Sequence, residues 1–297
     1  MTFRTCRAMG LALGLIFLMA HTLCAQAGPA ERLLEAKQLL RASGGMESRT
    51  NSEKALAILQ RLLNDSPAAP QAPFARYLAG VCLIRLDRFD EAGRAFEEAL
   101  RRPADRDTTE GVLWHLGFVH LKTLNHLKAK QVYQRLRQEF PDSRRTAQIE
   151  KQLDRLKPVG TKAPVFKAHD LDGNVLDLKE LSGKVVLLSF WATWCPPCRR
   201  EMPNVKAAHD RYKADGLVAV GISLDEDRAL LADYLKAHGM GWPHYCDGKK
   251  WQSPLARIYG VDSVPTAFLI DGKGIIRYAG LRGEDLHKAC ALLLKEP

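Results

Sequence analysis

The stretch VVLLSFWATWCPPCRREMP, residues 185–203, joins a strand signal to the expected start of a helix. Residues 185–190 form an apolar run broken only by Ser189, which is typical of a strand buried on both faces of its sheet. A helix is expected to begin after this run, so Cys195 and Cys198 fall at the junction. Two cysteines three residues apart on a helical turn have both sulfurs on one face, close enough to close a small ring.

This position gives the two cysteines different chemistry. Cys195 is expected at the helix N-terminus, where unbonded N–H groups and the helix dipole stabilise a thiolate. Because the thiolate is the attacking species, Cys195 is the predicted nucleophile, which forms a mixed disulfide with the substrate. Cys198, one turn deeper, then attacks that mixed disulfide, releases the reduced substrate and leaves the Cys195–Cys198 disulfide.

Other uses of a Cys-x-x-Cys pair fit this sequence less well. A zinc site needs further ligands, and the chain has no second cysteine pair with ligand spacing. Covalent haem attachment needs a histidine directly after Cys198, and a structural disulfide there is poorly placed to tie distant segments. His115, His120 and His126 share no helical face, so we expect neither a metal nor a cofactor. Further cysteines are interpreted as unpaired core thiols: Cys82, Cys246 and Cys290.

Pro265, far along the chain, adds a second feature to the strand and helix that contain the cysteines. Pro265 precedes the apolar run 267–270, and a proline that opens a buried strand has no ladder donor there, which suits a cis turn. Together with the strand and helix around Cys195, this arrangement resembles the thioredoxin fold. More specifically, FWATWCPPC (190–198) and GTKAPVF (160–166) resemble the exported TlpA/ResA-like thioredoxins.

This resemblance covers about residues 158–297 and implies roles for further residues. Pro265 is expected to be cis, to face the cysteine pair and to align the substrate backbone. Glu201, three residues after Cys198 on the same helical face, is expected to exchange the proton of the second thiol, with a plain surface glutamate as the alternative. Pro203 matches the family's kink in the active-site helix. The residues assigned to substrate binding flank these groups: Trp194, Pro196, Pro197 and Val264.

The amino-terminal half has helical periodicity and a repeat of 37 residues. Gly80 and Gly117 are one repeat apart, and small residues there allow two helices to approach while an aromatic residue fills the gap one turn on. The pattern resembles tetratricopeptide repeats, which stack into an array whose concave surface commonly binds a protein or peptide. A helical spacer without a ligand is the alternative. The repeated positions are Ala55, Leu59, Leu62 and Pro67, then Ala92, Phe96 and Ala99, then Ala129, Tyr133, Leu136 and Pro141.

The pattern of apolar residues changes along the chain, and this change predicts two domains. Residues 28–157 form the expected all-α, tetratricopeptide-like domain, and residues 158–297, where Val/Ile-rich runs alternate with helical stretches, form the α/β, thioredoxin-like domain. Residues 1–27 have the basic start, short apolar run (8–20) and Ala-Gln-Ala site (25–27) of a cleaved secretory signal peptide. We therefore expect a periplasmic protein, with an uncleaved membrane anchor as the alternative.

Composition and charge exclude several classes of protein. With 46% hydrophobic and 26% charged residues among 297, the chain has an ordinary globular composition rather than that of a disordered, collagen-like or polytopic membrane protein. A formal net charge of +10 is compatible with a nucleic-acid partner. The excess of basic residues is mild, however, and it is unclustered and mostly in the helical half. A solvated helix surface explains it better, so we expect no nucleic acid.

Taken together, the sequence predicts an exported thiol-disulfide oxidoreductase that reduces disulfides of selected exported proteins. Pro196 and Pro197 remove two backbone donors, which favours a reductant, whereas Arg199 and Arg200 act in the opposite direction. The resemblance implies a membrane thiol-transfer electron donor and substrates such as apocytochrome c or copper-site proteins, and the repeats are expected to hold a protein partner. Three alternatives stay open: an oxidase with the same residues, an adaptor that acts through the repeats, and a thiol peroxidase.

Overall fold

The computed structural model describes residues 28–42, 47–102 and 104–296. The described residues divide into two compact units, which lie within residues 1–123 and 124–297. The predicted signal peptide lies outside the described residues. Within the part of the chain that is described, no helix is both long and apolar enough to span a bilayer.

The first unit is an array in which each helix packs against the next along the chain. A Cβ added to Gly80 would overlap the ring of Phe96, which confirms the predicted close approach of two helices at this glycine. Its described helices are α1 (Pro29–Arg41), α2 (Glu47–Asp65), α3 (Ala72–Arg85), α4 (Phe89–Leu100) and α5 (Arg106–Lys122). Repeat positions in its core are at most 1% exposed: Ala55, Leu59, Leu62, Ala92, Phe96 and Ala99.

The second unit contains the α/β sequence together with two helices before it. The predicted domain boundary after residue 157 therefore lies inside this unit, and it stays a prediction. The described helices are α6 (His126–Glu139), α7 (Arg144–Leu156), α8 (Pro196–Tyr212), α9 (Arg228–Ala237), α10 (Pro254–Ile258) and α11 (Gly283–Leu293). The described strands are β1 (Lys167–His169), β2 (Val175–Asp177), β3 (Val185–Trp191), β4 (Leu217–Ser223), β5 (His244–Cys246), β6 (Thr266–Ile270) and β7 (Ile276–Ala279).

Strands β3 to β7 form one sheet in the order β5-β4-β3-β6-β7. The central strand β3 pairs in parallel with β4, with Val185 opposite Leu217 and Trp191 opposite Ser223, and antiparallel with β6. All residues of β3 are buried, as its apolar run predicts. Because β3 and β4 are parallel, the residues that follow each of them meet at the same edge of the sheet, where α8 begins.

The outer edge of β7 is covered by the chain that enters the α/β sequence. The Gly160 N–H donates to the Ile276 carbonyl at 2.8 Å, and the Ile276 N–H donates to the Thr161 carbonyl at 3.0 Å. Helices α6 and α7 pack on the same strand, with the rings of His126 and Tyr278 centred 5.2 Å apart. An edge strand covered in this way is protected from pairing with another chain.

Candidate active site

Cys195 and Cys198 form a disulfide at the start of α8, and their Cα atoms lie 5.2 Å apart. Cys195 is the N-cap residue of this helix, and Pro196 and Pro197 occupy its first two positions. Cys195 is 5% exposed, whereas Cys198 is fully buried. The difference in exposure favours Cys195 as the sulfur that first meets a substrate.

The two prolines limit the backbone donors near Cys195. The Cys198 N–H points to the Cys195 Sγ at 3.2 Å, and the Arg199 N–H donates to the Cys195 carbonyl at 3.1 Å. Pro196 and Pro197 have no N–H to contribute. Within the described residues, a thiolate at Cys195 would thus be stabilised by one backbone N–H and by the helix dipole.

The peptide bond between Val264 and Pro265 is cis, as the sequence predicts. The Val264 carbonyl oxygen lies 3.7 Å from the Cys195 Sγ, so the cis turn faces the first cysteine. Pro265 is buried, and its carbonyl accepts a hydrogen bond from Arg282 Nη2 at 3.0 Å. Since Arg282 is the N-cap residue of α11, this bond ties the turn to that helix.

A buried aspartate holds the loop between β3 and the cysteines. The N–H and the hydroxyl of Thr193 both donate to the Asp225 carboxylate, the hydroxyl at 2.7 Å. Ser223 Oγ donates to the same carboxylate at 2.6 Å, and the Cys246 thiol donates to the Asp225 carbonyl at 3.2 Å. Asp225 is 4% exposed and lies just beyond β4. Its carboxylate therefore fixes the residue two positions before Cys195.

The residue directly before Cys195 is an exposed tryptophan with a second tryptophan beside it. Trp194 is 47% exposed and Trp251 is 42% exposed. Their ring centroids lie 6.3 Å apart, with an angle of 65° between the planes. The indole Nε1 of Trp194 donates to the Leu224 carbonyl at 3.3 Å, which fixes the orientation of that ring. An aromatic surface is thus placed next to the predicted nucleophile.

Glu201 contacts the start of α11. Its Oε1 accepts a hydrogen bond from the N–H of Gly283 at 2.9 Å, and its Oε2 accepts one from Asn204 Nδ2 at 3.1 Å. Gly283 is the first residue of α11, so the carboxylate satisfies a free N–H at the positive end of that helix. A carboxylate has about four lone-pair sites, which leaves capacity for a third partner. Its role in proton exchange stays a prediction.

The structure brings together the other residues assigned from the sequence. Trp194, Pro196 and Pro197 are exposed around the disulfide, and Val264 is partly buried beside Cys195. Pro203 lies inside α8, as expected. Trp194, Pro196 and Pro197 lie beside Cys195 in the chain, and the Val264 carbonyl lies 3.7 Å from its Sγ.

Residues 159–279 match the model of the AhpC/TSA family, and residues 112–143 match a tetratricopeptide repeat. The thiol-disulfide oxidoreductase ResA of Bacillus thuringiensis subsp. konkukian is 33% identical over 138 residues, which cover 46% of this chain and 78% of that protein. The chain belongs to the ResA family of thiol-disulfide oxidoreductases. The ResA of Bacillus anthracis is 38% identical over 117 residues, 39% of this chain.

The alignments to the ResA proteins of three Bacillus strains cover less than half of this chain and only part of each relative. The chain spans 65% of the length of the ResA proteins of Bacillus anthracis and of Bacillus thuringiensis strain Al Hakam. Among solved structures, the thioredoxin domain of a thiol-disulfide oxidoreductase from Bacteroides vulgatus is 27% identical. That alignment covers 46% of this chain and 98% of the domain, with a TM-score of 0.43.

The other described cysteines of this ResA-family chain are free and buried, as predicted. Burial raises the pKa of the Cys82 thiol to about 11 and that of the Cys290 thiol to about 12. Burial also raises the pKa of the Cys246 thiol. Among the residues that the structure describes, no group of three or more His, Cys, Asp and Glu side chains is arranged to hold a metal ion.

Three residues near the ResA-type disulfide were not found from the sequence: Asp225, Trp251 and Arg282. Asp225 had a usable signal, because an acid directly after a buried parallel strand lies at the same sheet edge as the cysteines. Trp251 lies in a short 3-10 helix after β5, and Arg282 lies between β7 and α11. Their contacts with the site depend on how these segments fold.

Proposed function

We propose that this protein is an exported disulfide reductase in which Cys195 attacks and Cys198 resolves. The observation that carries the proposal is the position of Cys195: the N-cap of α8, bonded to Cys198 and 3.7 Å from the carbonyl before a cis proline. Its membership of the ResA family supports the same chemistry.

The proposed reaction transfers two electrons from the dithiol to a protein disulfide. The Cys195 thiolate attacks one sulfur of the substrate disulfide, so that a Cys195–substrate disulfide forms and the other substrate sulfur leaves as a thiolate. Cys198 then loses its proton and attacks the Cys195 Sγ, which forms the Cys195–Cys198 disulfide and releases the second substrate thiolate. In this scheme Glu201 receives the Cys198 proton, and Val264 and Pro265 align the substrate backbone.

The backbone donors available to the Cys195 thiolate support the proposed direction of electron flow. Pro196 and Pro197 leave the Cys198 N–H as the backbone donor that faces Cys195 in the described structure, so the thiolate gains little stabilisation relative to the disulfide. Arg199 and Arg200 oppose this effect, but both are exposed and screened by solvent. A reductase in an oxidising compartment needs a supply of electrons, which we assign to a membrane thiol-transfer protein.

The repeats and the amino-terminal segment support proposals for how the substrate is selected and where the enzyme acts. The tetratricopeptide match supports a protein-binding role for the repeats, which would hold the substrate protein or a partner. Export through the signal at residues 1–27 would place the enzyme in the periplasm. Substrates in this proposal are disulfide-containing exported proteins, with apocytochrome c and copper-site proteins as the first candidates.

The deciding experiment is the redox state of the Cys195–Cys198 pair in the native host, read by acid quenching and alkylation. We expect a mostly reduced pair, and an oxidised pair after deletion of the electron donor. A pair that stays oxidised whether or not the donor is present would favour the oxidase. Rapid peroxide turnover by the purified protein would favour the peroxidase, and an unchanged host phenotype after Cys195→Ser would favour the adaptor.

A further inference from the structure

Trp194 and Trp251 form an aromatic pair on the surface beside the disulfide. Their rings lie 6.3 Å apart, yet each side chain keeps more than two fifths of its surface exposed. Large aromatic side chains dominate the energetics of protein interfaces, and they contribute most when a partner removes them from water. The two rings are thus in position to contact any chain that reaches Cys195.

The turn that carries Trp251 is held in an unfavourable backbone conformation. Lys250 has φ of +49°, in the left-handed region that residues other than glycine avoid. Its Nζ forms an ion pair with Glu226 Oε2 at 2.7 Å, and the Lys249 N–H donates to Asp247 Oδ1 at 3.0 Å. Strained residues of this kind persist where surrounding contacts hold them, and they cluster at binding sites.

Both tryptophans are anchored to the segment that follows β4. The Trp194 indole donates to the Leu224 carbonyl, and the neighbouring Thr193 is bound by the Asp225 carboxylate. Glu226, the next residue, holds the turn of Trp251 through Lys250. Three consecutive residues, 224–226, therefore fix the two rings relative to each other and to Cys195. Such a surface binds its partner with little loss of conformational entropy.

Two cations, Arg199 and Arg200, directly follow the cysteine pair in the chain. Arg199 and Arg200 are exposed in the first turns of α8, where the helix dipole disfavours positive charge. Within the described part of the chain neither guanidinium forms an ion pair. Helix stability does not explain these two residues, whereas an acidic group on an incoming chain would complement them.

We propose that Trp194 and Trp251 bind an aromatic side chain of the substrate next to its disulfide, and that Arg199 and Arg200 attract an acidic residue close to it. The substrate class is thus a disulfide-bonded segment with an aromatic and an acidic residue near its cysteine. This inference rests on the proposed function and narrows it, because it names what distinguishes a preferred protein disulfide from any other.

The test uses the full chain in reduced form and short disulfide-linked peptides as probes. One peptide has Phe beside its cysteine and Glu after it, a second has Ala in place of Phe, and a third has Gln in place of Glu. We expect the first to exchange about fivefold faster than the second, the size of effect that an added aromatic contact supports. We also expect the advantage of Glu over Gln to fall as salt is added.

Variants then assign the preference to the tryptophan pair. Trp251→Ala is expected to remove most of the Phe-over-Ala ratio, and Trp251→Phe to retain most of it. Leu292→Ala is the matched control, because Leu292 is 49% exposed on the last helix and is expected to leave the ratio unchanged. The double variant Arg199→Gln, Arg200→Gln is expected to remove the Glu-over-Gln ratio.

The outcomes separate this inference from the function on which it rests. If the protein exchanges with all peptides at equal rates, or if Trp251→Ala keeps the Phe-over-Ala ratio, the aromatic surface does not select substrate and the inference is wrong, while the reductase proposal stands. If the reduced protein exchanges with none of the peptides, the proposed function itself fails.

Discussion

Cys195 and Cys290 are 5% and 0% exposed, but the residues and backbone groups around the two thiols differ. Cys195 stands at the N-cap of α8, with a backbone N–H on its sulfur and a second cysteine one turn away. Cys290 lies within α11, where burial raises the pKa of its thiol to about 12. Burial alone is therefore expected to leave a thiol inert, and we expect the helix start and the adjacent N–H to make the Cys195 thiolate reactive.

The test with the largest expected effect replaces Cys195, the proposed nucleophile. Cys195→Ser is expected to lower the rate of disulfide exchange by at least about a thousandfold, because a serine hydroxyl cannot form the mixed disulfide. Cys198→Ser should instead trap a mixed disulfide with the substrate, visible by mass spectrometry and lost on reduction.

The matched control for these variants is Cys290→Ala, a change at a thiol that takes no part in the proposed exchange. It is expected to retain the exchange rate within about twofold, apart from a loss of stability from the smaller side chain. Trapping by Cys195→Ser rather than by Cys198→Ser would reverse the assigned roles.

A second test loosens the loop that positions Cys195. Asp225→Ala removes the acceptor for two part-buried Thr193 donors and for the buried hydroxyl of Ser223. We expect a loss of about 3 kcal/mol in the free energy of unfolding and slower exchange, since bonds to a buried carboxylate are among the stronger ones. Urea unfolding and exchange kinetics measure the two effects.

The control for this variant is Asp262→Asn, because Asp262 is exposed and its carboxylate bonds only to Ser263 among the hydrogen bonds described. It should change stability by no more than about 0.5 kcal/mol. If Asp225→Ala proved as stable as the parent protein, the described network would not hold the loop.

A third test counts reactive thiols directly. With a pKa of about 11 against an ordinary 9.0, Cys82 has about a hundredfold less thiolate near neutral pH than an unperturbed thiol. We therefore expect reduced, folded protein to take up one alkyl group quickly, at Cys195, and the buried thiols of Cys82, Cys198, Cys246 and Cys290 to react only in denaturant. Fast native labelling of Cys82 or Cys290 would contradict the comparison.

The features of this fold that the sequence predicted depend on residues that are close together in the chain. The apolar run of β3 and the cysteines at the helix start depend on the local backbone alone. The resemblance to the thioredoxin fold additionally implied that Pro265 is cis and faces the cysteines. The 37-residue period likewise identified the core of the first unit, with Gly80 against Phe96.

What the sequence did not reveal depends on contacts between distant segments. Trp251 contacts Trp194 from 57 positions away because a strained turn and an ion pair bring it there. Glu201 was predicted from its spacing to Cys198, which does not reveal that its carboxylate also caps α11, 82 positions further along. Spacing along one helix indicates which face a side chain occupies, but not which distant backbone groups share that face.

The last prediction, with the smallest expected effect, concerns how the buried imidazole of His244 changes stability with pH. His244 on β5 is 3% exposed, and burial lowers its pKa to about 3, against the smaller opposing effect of Asp170. Burial raises the pKa of a thiol but lowers that of histidine, because in each case it disfavours the charged form. In the unfolded chain the same imidazole titrates near its ordinary value of 6.5.

The sign of the pH effect follows from these two values. Above pH 6.5 His244 is neutral in both states and its contribution to stability is complete, whereas below 6.5 the unfolded state binds a proton that the folded state does not take up until about pH 3. Between pH 7 and pH 5 the free energy of unfolding should therefore fall by about 2 kcal/mol on account of this residue. His244→Leu, measured by urea unfolding at both pH values, should show a correspondingly smaller fall. Parallel curves for the two proteins would mean that the folded state protonates His244 as readily as the unfolded chain does, and that burial at β5 does not control it.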